Sequence, residues 1–281
     1  MSIITDYKIP LGQYMEDFID LLVEHASWLF DYTAITLEWL IESLTQLLLW
    51  FPPLIFISLI AGLAYLIHRK VGIVIYAVLS LLLILNLGYW EATMTTLALV
   101  LYATFFCVLI GTPVGIYAAH HPWLYQLLRP LLDLMQTIPT FVYLIPTLTL
   151  FGLGVVPGLI STIIFAIAAP IRLTYLGISE VPKELIEAGK SFGCTPRQLL
   201  YKVELPAAMS SIAAGITQCI MLSLSMVVIA ALVGADGLGK PVIRALNTVD
   251  IAKGFEAGLA IVLIAILLDR LFKQESVTQT S

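Results

Sequence analysis

Charged residues are scarce in this sequence. Aspartate, glutamate, lysine and arginine make up 12% of its 281 residues, about half the share usual in a soluble domain. Apolar residues make up 60%, and the mean hydropathy is +0.98. This composition excludes a soluble globular fold and indicates a polytopic membrane protein. The acidic N-terminus lacks the basic and then apolar pattern of a secretory signal peptide, so we expect none.

Cysteine and histidine are also sparse. Cys107, Cys194 and Cys219 show no paired spacing, so we predict neither a disulfide framework nor a metal site. None of the four histidines lies beside a candidate nucleophile, and His120-His121 is interpreted as a solvated turn. We therefore expect no catalytic residues in this chain and no cofactor bound to it.

Seven apolar stretches are long enough, or nearly so, to cross a hydrocarbon core of about 30 Å. They cover residues 51–67, 71–87, 92–119, 131–152, 156–177, 207–235 and 255–268, and the first two could equally be one tight hairpin. Lysine and arginine set the orientation: with the polar loop 180–206 inside, nine basic residues fall inside and four outside. We expect an all-α bundle of about seven spans over 51–273, with the N-terminus outside, the C-terminus inside and a cytoplasmic tail over 274–281.

Residues 1–50 form a different kind of segment. Six acidic residues spaced by three, four or seven lie on one stripe of a long helix: Asp17, Asp20, Glu24, Asp31, Glu38 and Glu42. Burying six carboxylates in hydrocarbon is costly, so we expect this amphipathic helix to lie flat at the outer interface. It could be a surface anchor or a scaffold that girdles a dimer.

Proline falls inside three of the apolar stretches, at 111–115, 136–140 and 169–172. Proline removes a backbone donor, and the freed carbonyls need partners in protein or water. Three broken helices could line an aqueous path, or the sites could be ordinary kinks for packing. Asp133 and Arg172 lie at the edges of neighbouring stretches. We expect them to pair, or Arg172 to reach lipid phosphate while Asp133 caps a helix.

The long polar loop from Glu180 to Pro206 is predicted to form two short helices with a hinge. Pro182 suits the first turn of a helix, and Gly193 can take the left-handed conformation that closes it. Thr195 and Gln198 then fit a capping box around Pro196, which starts the second helix.

Gly234 to Lys240 fits the phosphate-binding pattern G-x-x-x-x-G-K. The hydroxyl residue that should follow is replaced by Pro241, and the segment follows an apolar helix rather than a strand. We therefore expect a tight turn here and no nucleotide site.

The spacing within the polar loop resembles the "EAA" loop of ABC importer permeases. The residues that carry the resemblance are Glu187, Ala188, Gly189, Gly193, Val203, Leu205 and Pro206. Gly189 in place of the second alanine and Val203 in place of isoleucine are the departures. The resemblance implies that the loop is a cytoplasmic coupling helix, held in a cleft of an ATPase subunit.

Three further stretches are similar to permeases that import quaternary amines such as glycine betaine, choline, carnitine or proline betaine. They are Asn86 to Trp90, Asp133 to Leu144, and Leu224 to Ala230. This resemblance implies a type I ABC importer transmembrane fold in a bacterial inner membrane, working as a permease homodimer. It also implies two copies of a cytoplasmic ATPase that bind ATP and Mg²⁺, an extracytoplasmic substrate-binding protein, and no nucleic acid.

Aromatic faces are the natural partners of a quaternary ammonium. We therefore take a weak lining of the path as one hypothesis for Gln136, Thr137, Pro139, Phe141 and Tyr143, and packing of the bundle as the other. Two other function classes stay open. A secondary carrier would need an internal repeat and midplane carboxylates, neither of which is visible. A membrane scaffold or osmotic channel would leave the long loop without a use.

Overall fold

The computed structural model describes residues 10–272, and every regular element in that range is helical. The α-helices in chain order are α1 (Leu11–Trp50), α2 (Pro53–His68), α3 (Val71–Asn86), α4 (Trp90–His120), α5 (Pro122–Thr137), α6 (Thr140–Phe151), α7 (Val155–Ala166), α8 (Ala168–Ser179), α9 (Lys183–Ser191), α10 (Pro196–Leu199), α11 (Leu205–Ala230), α12 (Gly239–Thr248) and α13 (Ile251–Phe272). A π-helical turn, Leu200–Glu204, joins α10 to α11, and a 3₁₀ turn, Ala231–Val233, follows α11. The all-α expectation is confirmed.

The number of spans is close to the expected seven. Four stretches within residues 10–272 are long and apolar enough to cross a membrane: Trp90–His120, Val155–Ser179, Pro196–Val233 and Ile251–Phe272. Two more are obtained if the bent pairs α1 with α2 and α5 with α6 each count as one span. Helix α3 has 16 residues, about 24 Å, and falls short of a hydrocarbon core of about 30 Å.

The stretch 131–152 is divided between two helices, as the proline pattern within it predicted. Helices α5 and α6 meet at 95°. The bend lies at Ile138, which is extended at φ −61° and ψ 131°, as expected for a residue that precedes a proline. The break expected at this proline site is therefore present, and it is sharp enough to turn the chain.

The other two proline sites behave differently from the prediction. Helix α4 runs unbroken through Pro113, so the expected break at 111–115 is absent. The third break falls at Ile167, one turn before Pro170. Pro170 has no N–H to donate to the carbonyl of Ala166 four residues earlier, and α7 ends at that residue.

Helix α8 is held tightly between α4 and α11 because small residues face it on both sides. A Cβ added to Gly115 of α4 would lie 2.7 Å from the carbonyl oxygen of Ile171 and 2.8 Å from Thr174 Cβ. A Cβ on Gly215 of α11 would lie 3.1 Å from Leu173 Cβ. Close approach through small residues is how membrane helices associate, since lipid provides no hydrophobic force between them.

The largest apolar core joins five helices on the other side of α4 and α11. Its buried members are Phe56 and Ile57 of α2, Ala77, Leu81 and Ile84 of α3, Trp90, Met94, Leu97 and Val100 of α4, Ile220, Leu224 and Val227 of α11, Leu238, and Ala260, Ile264, Leu267 and Leu268 of α13. Helices α2 and α3 pack on each other as a hairpin closed by Arg69, which has positive φ. This core fixes α4 and α11, which in turn hold α8.

Helix α1 has three distinct faces. It turns by 97° into α2 and has a kink at Ala26. One face packs into the bundle: Ile41 is 2% exposed and lies among Ala98, Ala103 and Leu159. The acidic stripe is exposed, and so is a third, aromatic face made by Trp28, Tyr32 and Trp39. The long acidic-striped helix was expected, but its packing against α4, α6 and α7 was not. Residues 1–9 and 273–281 lie outside the described range.

We predict that Gly115→Ala destabilises the protein by about 1–3 kcal/mol, because the added methyl group meets backbone and β-carbon atoms that cannot move aside. The control is Gly258→Ala in α13, where no atom lies within 4 Å of the added carbon. Thermal unfolding of both purified variants in detergent measures the difference. Equal midpoints would contradict a tight α4–α8 contact.

Candidate coupling loop and translocation path

The polar loop folds as a helix, a glycine turn and a second helix. Helix α9 ends at Ser191, and Gly193 follows with φ +76°, in the left-handed region. The N–H of Cys194 donates to the carbonyl of Gly189 at 3.1 Å, and that of Phe192 to Ala188 at 3.0 Å. These bonds satisfy carbonyls at the end of α9. The left-handed closing glycine predicted from the sequence is confirmed.

The second helix begins with the capping box that the sequence predicts. The N–H of Thr195 donates to Gln198 Oε1 at 2.9 Å, and the N–H of Gln198 donates to Thr195 Oγ1 at 3.4 Å. Pro196 occupies the first helical position, where its missing N–H leaves no bond unmade. The chain then continues through the π-turn directly into α11.

The two short helices pack on each other through Gly189. A Cβ at this position would lie 2.7 Å from Leu199 Cδ1 and 3.5 Å from Val203 Cγ2. Gly189 and Leu199 are both buried. The glycine that departs from the alanine of the family pattern therefore sits where the loop folds back on itself.

The outer surface of this loop is apolar at its tip. Phe192 is 89% exposed, and Leu185 and Tyr201 are also exposed. Glu187 and Ala188 face solvent on the same short helix. An exposed aromatic ring at the tip of a rigid polar knob is a feature of a protein interface rather than of a simple connection. We call residues 183–204 the knob.

A charged residue lies buried at the base of the knob, and sequence reasoning missed its role. Glu204 Oε2 lies 2.9 Å from Nε2 of His120, the last residue of α4. His120 is exposed, as the solvated interpretation of His120-His121 expected, but it ends a helix and pairs with Glu204, which was not predicted. His121 stacks on Tyr117 instead, with ring centroids 4.2 Å apart. The available signal was a carboxylate directly before the apolar run that begins at Leu205.

The candidate path residues cluster at the sharp bend between α5 and α6. The Tyr143 hydroxyl donates to the carbonyl oxygens of Met135 and Leu134 at the end of α5. Thr137 Oγ1 also donates to Leu134, at 3.3 Å. The helical donor to the Met135 carbonyl would be residue 139, which is a proline without an N–H, so the Tyr143 hydroxyl satisfies this carbonyl. The Leu134 carbonyl also accepts the N–H of Ile138 at 3.0 Å. The Tyr143 hydroxyl therefore holds the bend. The other two candidates, Gln136 and Phe141, lie on either side of it, and Phe141 is exposed.

Asp133 and Arg172 come together between α5 and α8. Arg172 Nη2 donates to Asp133 Oδ1 at 2.6 Å. The arginine side chain is about one-third exposed and the aspartate side chain about half exposed. The Nε of Arg172 is buried and makes no hydrogen bond within the described residues. The ion pair adds to the contacts of Leu132 with Ala168 and Ile171, which also hold α5 against α8.

The far end of the bundle holds an open cavity of about 600 Å³ between α1, α4 and α12. Its charged lining residues are Glu38, Glu42, Glu91, Asp236, Lys240 and Arg244. No aromatic side chain lines it among the residues that the structure describes. It is therefore not an aromatic cage for a quaternary ammonium.

The G-x-x-x-x-G-K segment forms the turn that was expected. Gly234 and Gly237 have positive φ, and the N–H of Leu238 donates to Thr96 Oγ1 at 2.8 Å, which anchors the turn to α4. Lys240 pairs with Asp236 instead of facing a phosphate site. Further on, Asp250 caps α13: its carboxylate accepts the N–H of Lys253, and this bond lowers the pKa of Asp250.

Comparison with known proteins agrees with this geometry. Residues 111–274 match the family described as binding-protein-dependent transport system inner membrane component, over more than half of the chain. The chain belongs to this family. Its members are inner membrane components of transport systems that depend on a binding protein. A secondary carrier or an idle scaffold is accordingly disfavoured.

Two relatives are similar over nearly the whole chain. The glycine betaine/proline betaine transport system permease protein ProW of Escherichia coli (strain K12) is 46% identical over 263 residues, 94% of this chain and 74% of that protein. The glycine betaine transport system permease protein OpuAB of Bacillus subtilis (strain 168) is 43% identical over 274 residues, 98% of this chain and 97% of that protein.

A solved structure shares the fold. The MetNI methionine ABC transporter in an inward-facing conformation matches with a TM-score of 0.56 and 23% identity, over 62% of this chain and 87% of the matched chain. The expected type I importer fold is thereby confirmed. The inner-membrane location is confirmed by the family match and the two relatives.

Tyr143→Phe separates the two hypotheses for the path residues. The variant keeps the ring and loses the hydroxyl bonds to α5, so we expect the unfolding free energy to fall by about 1 kcal/mol. If the ring lines the path, Tyr143→Ala lowers solute uptake well below that of Tyr143→Phe at matched expression. Equal uptake in all three proteins would exclude a lining role for this residue.

A double-mutant cycle with Asp133→Asn and Arg172→Gln measures the ion pair. Because both side chains are partly exposed, we expect a coupling energy of about 0.5–1 kcal/mol from unfolding in detergent. High salt should reduce it, since solvent screens exposed charges. A coupling energy of zero at low salt would show that each residue acts alone.

Proposed function

We propose that this chain is the permease subunit of an ATP-driven importer for quaternary amines of the glycine betaine and choline type. Two copies form the translocation path in the inner membrane. They work with two copies of a cytoplasmic ATPase and with an extracytoplasmic binding protein that delivers the solute. ATP and Mg²⁺ belong to the ATPase, and this chain binds no cofactor of its own.

The knob is the observation that carries the proposal. It follows α8 and leads without interruption into α11, so a force applied to its tip reaches two spans that are packed against each other. Its exposed ring at Phe192 and the charged residues of α9 suit a cleft on a soluble partner. Glu187, Ala188, Gly189 and Gly193 lie within it at the spacing of the ABC importer loop.

The orientation of the chain supports a cytoplasmic knob. The knob itself carries four basic residues, and Arg69, Lys70, Arg129 and Arg270 are the others on the expected inner side within residues 10–272. The far end has Lys240, Arg244 and Lys253. A surplus of lysine and arginine marks the cytoplasmic side of a membrane protein.

The class of solute is inferred from the relatives. Both permeases named above act on glycine betaine, and they align with 94% and 98% of this chain. Permanently charged ammonium groups cannot donate hydrogen bonds, so aromatic rings such as Phe141 and Tyr143 are suitable partners on a path of low affinity. High affinity would lie in the binding protein.

Reconstitution tests the whole proposal. The chain is co-expressed with its ATPase, purified, and placed in liposomes with ATP on the knob side and labelled glycine betaine plus binding protein on the other side. We expect uptake that requires ATP hydrolysis and is competed by choline or proline betaine. Uptake driven by an ion gradient without ATP would point to a secondary carrier instead.

Phe192→Asp should release the ATPase. Burying a phenylalanine ring contributes about 1.5–3 kcal/mol, so removing it and adding a charge should weaken retention of the ATPase on the affinity-tagged permease at least about tenfold. Leu246→Asp, an exposed apolar residue of α12 at the opposite end, is the matched control. Full ATPase retention by Phe192→Asp would contradict the assignment of the knob.

A further inference from the structure

Glu204 is the one charged residue among residues 10–272 whose side chain is buried, with 5% exposure. It occupies the last position of the π-turn, directly before the Leu205-Pro206 pair that opens α11. A buried carboxylate is costly unless it is paired and hydrogen-bonded. Its partner in the described structure is His120 at the end of α4, at 2.9 Å.

Both ring nitrogens of His120 are engaged, and this fixes the number of protons in the pair. Nδ1 lies 2.9 Å from the carbonyl oxygen of Ile116. A carbonyl only accepts, so Nδ1 must carry a hydrogen. Nε2 faces Glu204 Oε2, and two lone pairs cannot meet at this distance. Either the imidazole is doubly protonated beside a carboxylate, or a carboxylic acid donates to a neutral imidazole. Both arrangements contain the same additional proton.

Removal of that proton breaks one of the two bonds. A neutral imidazole beside an ionised carboxylate has one N–H, which can serve Ile116 or Glu204 but not both. The other charged or titratable groups on the segments around the pair are Tyr117 and His121 at the end of α4, Glu180 after α8, and Tyr201 and Lys202 in the π-turn. None of them forms an ion pair within residues 10–272. The ring is therefore held at both nitrogens only while the pair keeps its proton.

The pair connects the base of the knob to α4. In sequence, the loop joins only α8 and α11. Around it, Ile178, Ala208 and Ile212 form a small core with Ile116 and Ala119 of α4. One turn further along α4, Gly115 meets α8. A π-turn is a rare geometry that is often found at functional sites. Here it is the segment that brings the carboxylate to the end of α4.

We propose that His120 and Glu204 form a proton-bridged strut that transmits movement of the knob to α4, and that they are positioning residues for ATP-driven transport. This inference rests on the proposed function, because it concerns the motion that the ATPase imposes on the knob. Loss of its hydrogen bonds weakens the coupling between ATP hydrolysis and solute movement.

Glu204→Gln and Glu204→Met distinguish the strut from ordinary packing. A glutamine amide donates to Nε2 of a neutral imidazole while Nδ1 still donates to Ile116, so Glu204→Gln keeps both bonds without the additional proton. Methionine fills the space with no hydrogen bond. We expect solute moved per ATP to fall about fivefold in Glu204→Met, the effect of one lost bond, and to be retained in Glu204→Gln. His121→Gln and Glu24→Met are the matched controls and should behave as wild type.

Rescue by the conservative variant decides the outcome in proteoliposomes. Glu204→Gln behaving like Glu204→Met would overturn the strut. Wild-type liposomes that show no ATP-dependent uptake would contradict the proposed function instead.

A measurement without transport keeps the strut testable in that event. The thermal unfolding midpoint of the purified permease should be lower in Glu204→Met than in wild type and Glu204→Gln. If Glu204→Met fails to fold, His120→Phe takes its place, because it keeps a ring and loses both bonds. A midpoint of Glu204→Gln as low as that of the variant without the bond would overturn the pair.

Discussion

The close contact of α8 with α4 and α11 is the interaction on which the rest of the structure depends. In lipid, helices gain nothing from hiding apolar surface, so they associate through shape and short contacts. Glycines at 115 and 215 let backbones approach to distances that a methyl group would prevent. Since α8 precedes the knob and α11 follows it, this contact makes the knob's two attachments one rigid unit. A partner that moves the knob must therefore move several helices together.

A broken helix can leave backbone carbonyl groups without hydrogen-bond donors, and nearby groups supply those donors in this structure. At the bend between α5 and α6, the hydroxyl of Tyr143 donates to the Met135 carbonyl, which Pro139 leaves without a helical donor. At the gap between α7 and α8 the helix resumes at once. At Pro113 the helix does not break at all. Irregular backbone at membrane depth is tolerated only where such partners exist. Proline therefore has three different effects on the helix at these sites, and the neighbouring residues determine which effect occurs.

Local chemistry could be predicted from the sequence, and long-range contacts could not. The left-handed Gly193 and the Thr195–Gln198 capping box depend on residues a few positions apart, and both are present. Apolar stretches were located to within a few residues for the same reason. The break within 131–152 was predicted, but its size was not, because a proline bend of 95° and a mild kink have the same residue pattern. Sequence patterns could not show that His120 contacts Glu204, which lies 84 positions away. They also could not show that α1 packs into the bundle.

The π-turn between α10 and α11 affects the direction in which the knob points. Such a turn contains one residue more than an α-helical turn, and each helical residue rotates the chain by about 100° about the axis. One residue within 200–204 therefore determines which side of the α11 axis the aromatic tip faces. Shortening this turn by one position would leave every local helix intact, yet it would point the tip away from whatever the unshortened chain binds.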